Sequence, residues 1–261
     1  MGLRQLVAFC LVFAGAASWA APAELIAAAR DGTTYPDVPN DLPEATAYAW
    51  QQDLVYAVYA DQIAGLKAGL TSLQTQQRFN VDHPVLGVLP ANSNVLDGVV
   101  TVVPGLKIEV EIAFTLANAE GDRVAVLPAI ELPRLDYADM TKVAASDIVA
   151  SNVGAYRYIV GTPIPIVSDL AHLKVVLKRD GEIVSEGIGA DALDDPRLAS
   201  EWTMKQAHEI GYAPAAGWVV LTGALGRAVD AVPGEYEADY GELGKIAFRV
   251  IQSPPPTSNT P

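Results

Sequence analysis

The chain has 261 residues, of which 51% are hydrophobic and 18% charged, enough for one substantial core. A formal net charge of −14 argues against nucleic acid or an anionic membrane surface as a partner and leaves small anionic substrates open. The one cysteine, Cys10, lies in an apolar N-terminal run, so the rest of the chain has no disulfide, no thiolate nucleophile and no zinc–sulfur site.

Arg4 precedes the apolar stretch Leu6–Trp19, and Ser18-Trp19-Ala20 has the small-x-small pattern of a signal-peptidase site. Residues 1–20 are therefore expected to be a secretory signal cleaved after Ala20, because the run is shorter than the ~20 residues a spanning helix needs. Export to the periplasm or beyond, with no stable membrane insertion after cleavage, follows as an expectation. Residues 21–252 are expected to form a single domain. Residues 253–261, polar and proline-rich, are expected to be a disordered tail.

Within that domain, Ala21–Arg30 predicts a helix, broken by the turn-rich Asp31–Asn40. Asp41 and Glu44 stand at capping-box spacing and predict a helix running to about Ile63. Gly65 and Gly69 bracket a single lysine, Lys67. Such a lysine lies either where backbone and ligand come close or in a solvated turn. Gln74–Phe79 predicts a helix and Val81–Leu89 a loop.

Leu106–Leu116 carries the clearest strand pattern. Lys107, Glu109 and Glu111 alternate with Ile108, Val110 and Ile112. Carboxylates two residues apart on a strand lie roughly 6.5–7 Å apart on one side, and with a third they can converge on one hard cation. The same pattern also describes an ordinary half-buried strand with a solvated face. Farther on, Leu173–Arg179 and Glu182–Ile188 flank Asp180-Gly181 as a hairpin. Asp195-Pro196 opens a helix that Gly211 ends. Trp218–Leu221, Tyr236–Tyr240 and Lys245–Ile251 predict strands. Interspersed helices and strands of this kind indicate a mixed α/β or α+β fold.

Four stretches in order, GLKAGLTS (65–72), VDHPVLGVL (81–89), Leu96-Asp97-Gly98 and IEVEIAFTL (108–116), resemble the fumarylacetoacetate hydrolase superfamily. Within it they look most like the 2-keto-4-pentenoate hydratase and 2-oxo-3-hexenedioate decarboxylase branch, and the likeness extends over nearly all of the chain after residue 20. The resemblance implies that superfamily's mixed β-rich core flanked by helices, and a homo-oligomer. It implies a Mg²⁺ or Mn²⁺ site on Glu109, Glu111 and Glu131, the last from Ala129-Ile130-Glu131. It implies catalytic roles for Lys67 and Asp82, and substrate contacts from Thr71, Ser72, Asn152 and Thr222. His83 stands where the family has glutamate.

The implied function is a metal-dependent enzyme acting on a small-molecule 2-oxo acid through a metal-held enolate, of hydratase type. Decarboxylation or C–C hydrolysis at the same site is the alternative. A third reading is an exported binding protein that keeps the ligands without turnover. The sequence departs from the family's polar pattern at Arg134, Ser151, Gly154, Ala155 and Ala224, which bears on the reaction more than on the metal.

Overall fold

The computed structural model describes residues 20–60, 62–167 and 169–253. The expected signal segment up to Trp19 and the tail from residue 254 lie outside the described residues. The chain order is α1 (Ala23–Asp31), α2 (Glu44–Tyr59), β1 (Ile63–Gly69), α3 (Leu73–Phe79), β2 (Val85–Pro90), β3 (Val99–Thr101), β4 (Lys107–Leu116), β5 (Arg123–Leu132), α4 (Ala145–Ala150) and β6 (Arg157–Val160). It continues through β7 (Lys174–Arg179), β8 (Glu182–Ile188), α5 (Pro196–Ile210), β9 (Val219–Leu221), β10 (Val229–Asp230), β11 (Gly234–Asp239) and β12 (Lys245–Ile251).

The strands form two sheets. One runs β2-β1-β9-β4-β5-β6, with β10 also paired to β4, and the other runs β3-β12-β11-β7-β8. The first sheet curls until its ends meet. Asn94, just beyond β2, bridges to Tyr158 of β6, Val95 N–H donates to the Tyr158 carbonyl at 2.8 Å, and Arg157 Nη1 donates to the Asn92 carbonyl at 2.7 Å. Curling gives this sheet an inner and an outer face. Ile108, Val110, Ile112 and Phe114 point outward from β4 and pack with Val175, Leu177, Tyr236, Phe248 and Val250 of the second sheet. Elsewhere on the outside, Leu66, Leu86 and Val88 pack with Leu25, Tyr48, Trp50, Leu54 and Ile148 of α1, α2 and α4.

The predicted α+β architecture is present, with three local differences. Pro43, with φ −60°, takes the N-cap position of α2, and no side chain caps the helix, so Asp41 has no capping role. The helix stops at Ala60, in the left-handed region at φ 47°, because the chain must turn to let Ile63 start β1. Val85–Pro90, expected in a loop, is fully buried strand that pairs antiparallel with β1. The hairpin and α5 form where their turn residues require. Asp180 and Gly181 both take positive φ, Asp195 caps Arg197 N–H at 2.8 Å, and Gly211 closes α5 at φ 98°.

Candidate active site

Strand register fixes which side chains face inward. Glu109 lies directly opposite Glu131, Glu111 opposite Ala129, and Ala113 opposite Leu127 across the β4–β5 ladder. Ala113 is also opposite Leu221 on β9, and Leu221 is beside Lys67 on β1. Glu131 faces Tyr158 on β6. Residues paired across a ladder share a face, so Lys67 and the three glutamates are all inside the curled sheet. Leu89, Ala113, Leu127, Ala129, Tyr158 and Leu221 form an apolar cluster on that same face.

The three carboxylates offer oxygens that lie within 4.8 Å of one another. Glu111 and Glu131 are fully buried and Glu109 half-buried, so this is no solvated strand face. Glu111 Oε2 accepts the Gly223 N–H at 2.8 Å. Among the described residues, Glu111 Oε1 and Glu131 Oε2 are buried with no hydrogen-bond partner. Burial first, then the charge of Glu131, pushes the Glu109 carboxyl up to about 7, against the pull of Lys67 and Lys107. Glu111 is raised well above the ordinary carboxylate range by burial, then by Glu131 and Glu109. Buried, mutually repelling carboxylates with orphaned oxygens are costly unless a cation satisfies them. An all-oxygen set of this kind fits a hard divalent ion.

Lys67 is buried on the same face. Its ammonium pairs with Glu131 and donates to the Val153 carbonyl at 2.8 Å. That carbonyl sits in an unusual turn. Asn152, Val153 and Gly154 all take left-handed φ, at 57°, 53° and 65°. For a β-branched residue such as Val153 this is a genuine outlier, with a cost of order 1–3 kcal/mol that the surroundings must hold. Room for the turn comes from glycine: a Cβ on Gly69 would lie 2.5 Å from Val153 Cγ1, and one on Gly87 would lie 2.9 Å from the Asn152 carbonyl oxygen.

The other expected site residues separate. Thr71 is buried where a Cβ on Gly223 would strike it, next to the N–H that holds Glu111. Thr222 is fully buried and donates its hydroxyl to the Ile112 carbonyl at 2.8 Å. Ser72 instead caps α3, accepting Thr75 N–H at 3.2 Å. The Asn152 amide is committed to the backbone of one residue, accepting Val88 N–H at 2.8 Å and donating to the Val88 carbonyl at 3.0 Å. Asp82 is almost fully exposed, and His83 Nε2 pairs with Glu44 at 3.2 Å while Nδ1 meets the Pro84 carbonyl. Arg134, a departure from the family pattern, is buried against Tyr35 and pairs with Asp136 at 2.7 Å. Two groups escaped the sequence reading, the Gly223 N–H and the Val153 carbonyl. Both are backbone atoms, whose roles side-chain identity does not display.

A curled sheet that gathers three carboxylates, two of them fully buried, and an inward lysine on one face has the donor set of a hard divalent-cation site. No family model matches the chain. It is 31% identical over 236 residues to the 4-oxalocrotonate decarboxylase of Pseudomonas putida, covering 82% of this chain and 89% of that protein. It is 32% identical over 202 residues to the 2-keto-4-pentenoate hydratase of Paraburkholderia xenovorans (strain LB400), covering 71% and 75%. The solved structure of 4-oxalocrotonate decarboxylase from Pseudomonas putida G7, complexed with magnesium and adipate, matches with TM-score 0.79 at 28% identity over 87% of this chain and 94% of that one. The chain belongs to the fumarylacetoacetate hydrolase superfamily, in its 2-keto-4-pentenoate hydratase and 4-oxalocrotonate decarboxylase branch.

Proposed function

We propose that this protein is a divalent-metal-dependent hydro-lyase that adds water to the dienol form of a short 2-oxo acid. Glu109, Glu111 and Glu131 would hold the metal, with Mg²⁺ or Mn²⁺ the ions suited to their hard oxygens. Bound there, such an ion supplies Lewis-acid polarisation of the substrate's oxygens and stabilises negative charge that develops on them. The chain's own groups do the rest. Gly223 N–H fixes the orientation of Glu111. Lys67 offsets the surplus negative charge of three carboxylates and is placed to bind the substrate carboxylate. The inner wall of Leu89, Leu127, Tyr158 and Leu221 shields the site from bulk water and suits an uncharged diene tail.

That apolar wall is the observation favouring hydration of a monocarboxylate over decarboxylation of a dicarboxylate. The binding-protein alternative has no support in the relatives, which are named as enzymes. Ultraviolet assay of 2-hydroxypenta-2,4-dienoate with Mg²⁺ tests the proposal. Loss of the diene absorbance, stopped by a chelator, is expected. Turnover of the conjugated dicarboxylate alone, with release of CO₂, would overturn it.

Export is supported by the sequence pattern ending at Ala20 and by Ala21, whose backbone nitrogen donates to Asp53 Oδ2 at 2.9 Å. Cleavage there would leave an ammonium beside that carboxylate. N-terminal sequencing of the chain recovered from periplasm or medium should begin at Ala21. The homo-oligomer carried over from the family resemblance is tested by analytical ultracentrifugation.

A further inference from the structure

The geometry points to Asn152 as a positioning residue that seats the Lys67 ammonium through the Val153 carbonyl, leaving Glu131 free to take a cation. This inference rests on the metal reading of the three glutamates. Its first support is the two-point grip of the Asn152 amide on the backbone N–H and carbonyl of Val88, at 2.8 and 3.0 Å, which ties the turn to β2. The second is the turn itself. Three successive left-handed residues, one of them valine, persist only where neighbours over-determine them. Arg134 N–H on the Gly154 carbonyl at 2.8 Å and Ala155 N–H on the Asn152 carbonyl at 3.0 Å supply the remaining ties. The third is what the turn presents, a carbonyl 2.8 Å from Lys67 Nζ on a lysine that also pairs with Glu131.

The physical consequence follows from competition. An ammonium whose only partner is Glu131 competes with any cation for that carboxylate. An ammonium with a second seat on a fixed carbonyl can stay beside the cluster while Glu131 turns to the cation. Moving the carbonyl removes the seat and strengthens the competing ion pair.

Calorimetric titration with Mn²⁺ tests this in a double-mutant cycle. Asn152→Gly keeps a residue that accepts left-handed φ and removes only the amide. It is expected to weaken Mn²⁺ binding about five-fold, the size of one net hydrogen bond, and to have almost no effect in a Lys67→Met background. Gly87→Ala reaches the same seat from β2, since its Cβ would lie 2.9 Å from the Asn152 carbonyl oxygen and 3.0 Å from Lys67 Cγ. It should show the same loss with the same dependence on Lys67, and it serves if Asn152→Gly does not fold. Equal losses with and without Lys67, or no loss in either variant, would overturn the positioning role while leaving the metal site standing. Wild-type protein that binds no Mn²⁺ overturns the metal reading and this inference with it.

Discussion

Glu109 and Glu131 stand directly opposite one another across the β4–β5 ladder, like charge facing like charge on a face with Glu111 beside them. Opposed like charges destabilise a sheet. A sequence optimised for stability alone would not place them there, and the burden is relieved when a cation binds. Glu109→Gln should therefore raise the chelator-treated protein's unfolding free energy by up to about 1 kcal/mol while abolishing the stabilisation that Mn²⁺ gives the wild type. Thermal melts with and without metal check both halves.

The pH dependence has a definite sign. Glu109 is raised from 4.5 to about 7 in the folded protein, and Glu111 moves in the same direction. The metal-free fold then binds protons more tightly than the unfolded chain. The stability this contributes is fully present below about pH 4.5 and is lost as pH rises through about 7. Divalent ions compete with those protons, so Mn²⁺ affinity should climb over the same window. Denaturant titrations with chelator and Mn²⁺ titrations, both from pH 5 to 8, measure the two opposed trends.

Glu111→Ala should leave the chain folded and lower turnover roughly a thousand-fold, the equivalent of the several kcal/mol that metal-based charge stabilisation supplies. Circular dichroism of the variant and the dienol assay separate folding from chemistry.

Ser72 and Asp82 are expected to lie outside the chemistry. Ser72→Ala removes the α3 cap and should cost about 1 kcal/mol of stability with kcat and KM unchanged. Asp82→Asn, at an almost fully exposed side chain, should change none of the three. A large fall in kcat for either variant would restore the role implied by family resemblance.

Gly223→Ala should act through the backbone that holds Glu111. Gly223 has φ 104°, its Cβ would strike the Thr71 side chain, and its N–H holds Glu111. The variant should lose about 1–3 kcal/mol of stability through backbone strain and bind Mn²⁺ more weakly. Melts and titrations together check the pair.

The sequence displayed the site better than it displayed the walls around it. Alternation along Lys107–Leu116 was enough to put Glu109 and Glu111 on one side, because a period of two is a local property. Periodicity left open whether that side was wet or dry. The answer came from the curling of the first sheet, a non-local event sealed by Asn94 and Tyr158, far apart in the chain. Val85–Pro90 failed as a loop for a related reason. Buried on both faces, it shows no alternation, and Pro84 and Gly87 imitate turn chemistry. Asn152 was legible as a turn residue, but its grip on Val88 is set by tertiary packing.

Glu109, half-buried, and the buried Glu111 and Glu131 are proposed to form one divalent-cation site that accepts a 2-oxo acid. Mn²⁺ binding to the chain from Ala21 onward, measured with and without oxalate, tests it most directly, since oxalate is planar and mimics the enolate of such an acid. Each ligand is expected to tighten the binding of the other, and Glu109→Ala to remove both. Absence of Mn²⁺ binding, or oxalate binding indifferent to the metal, would contradict it.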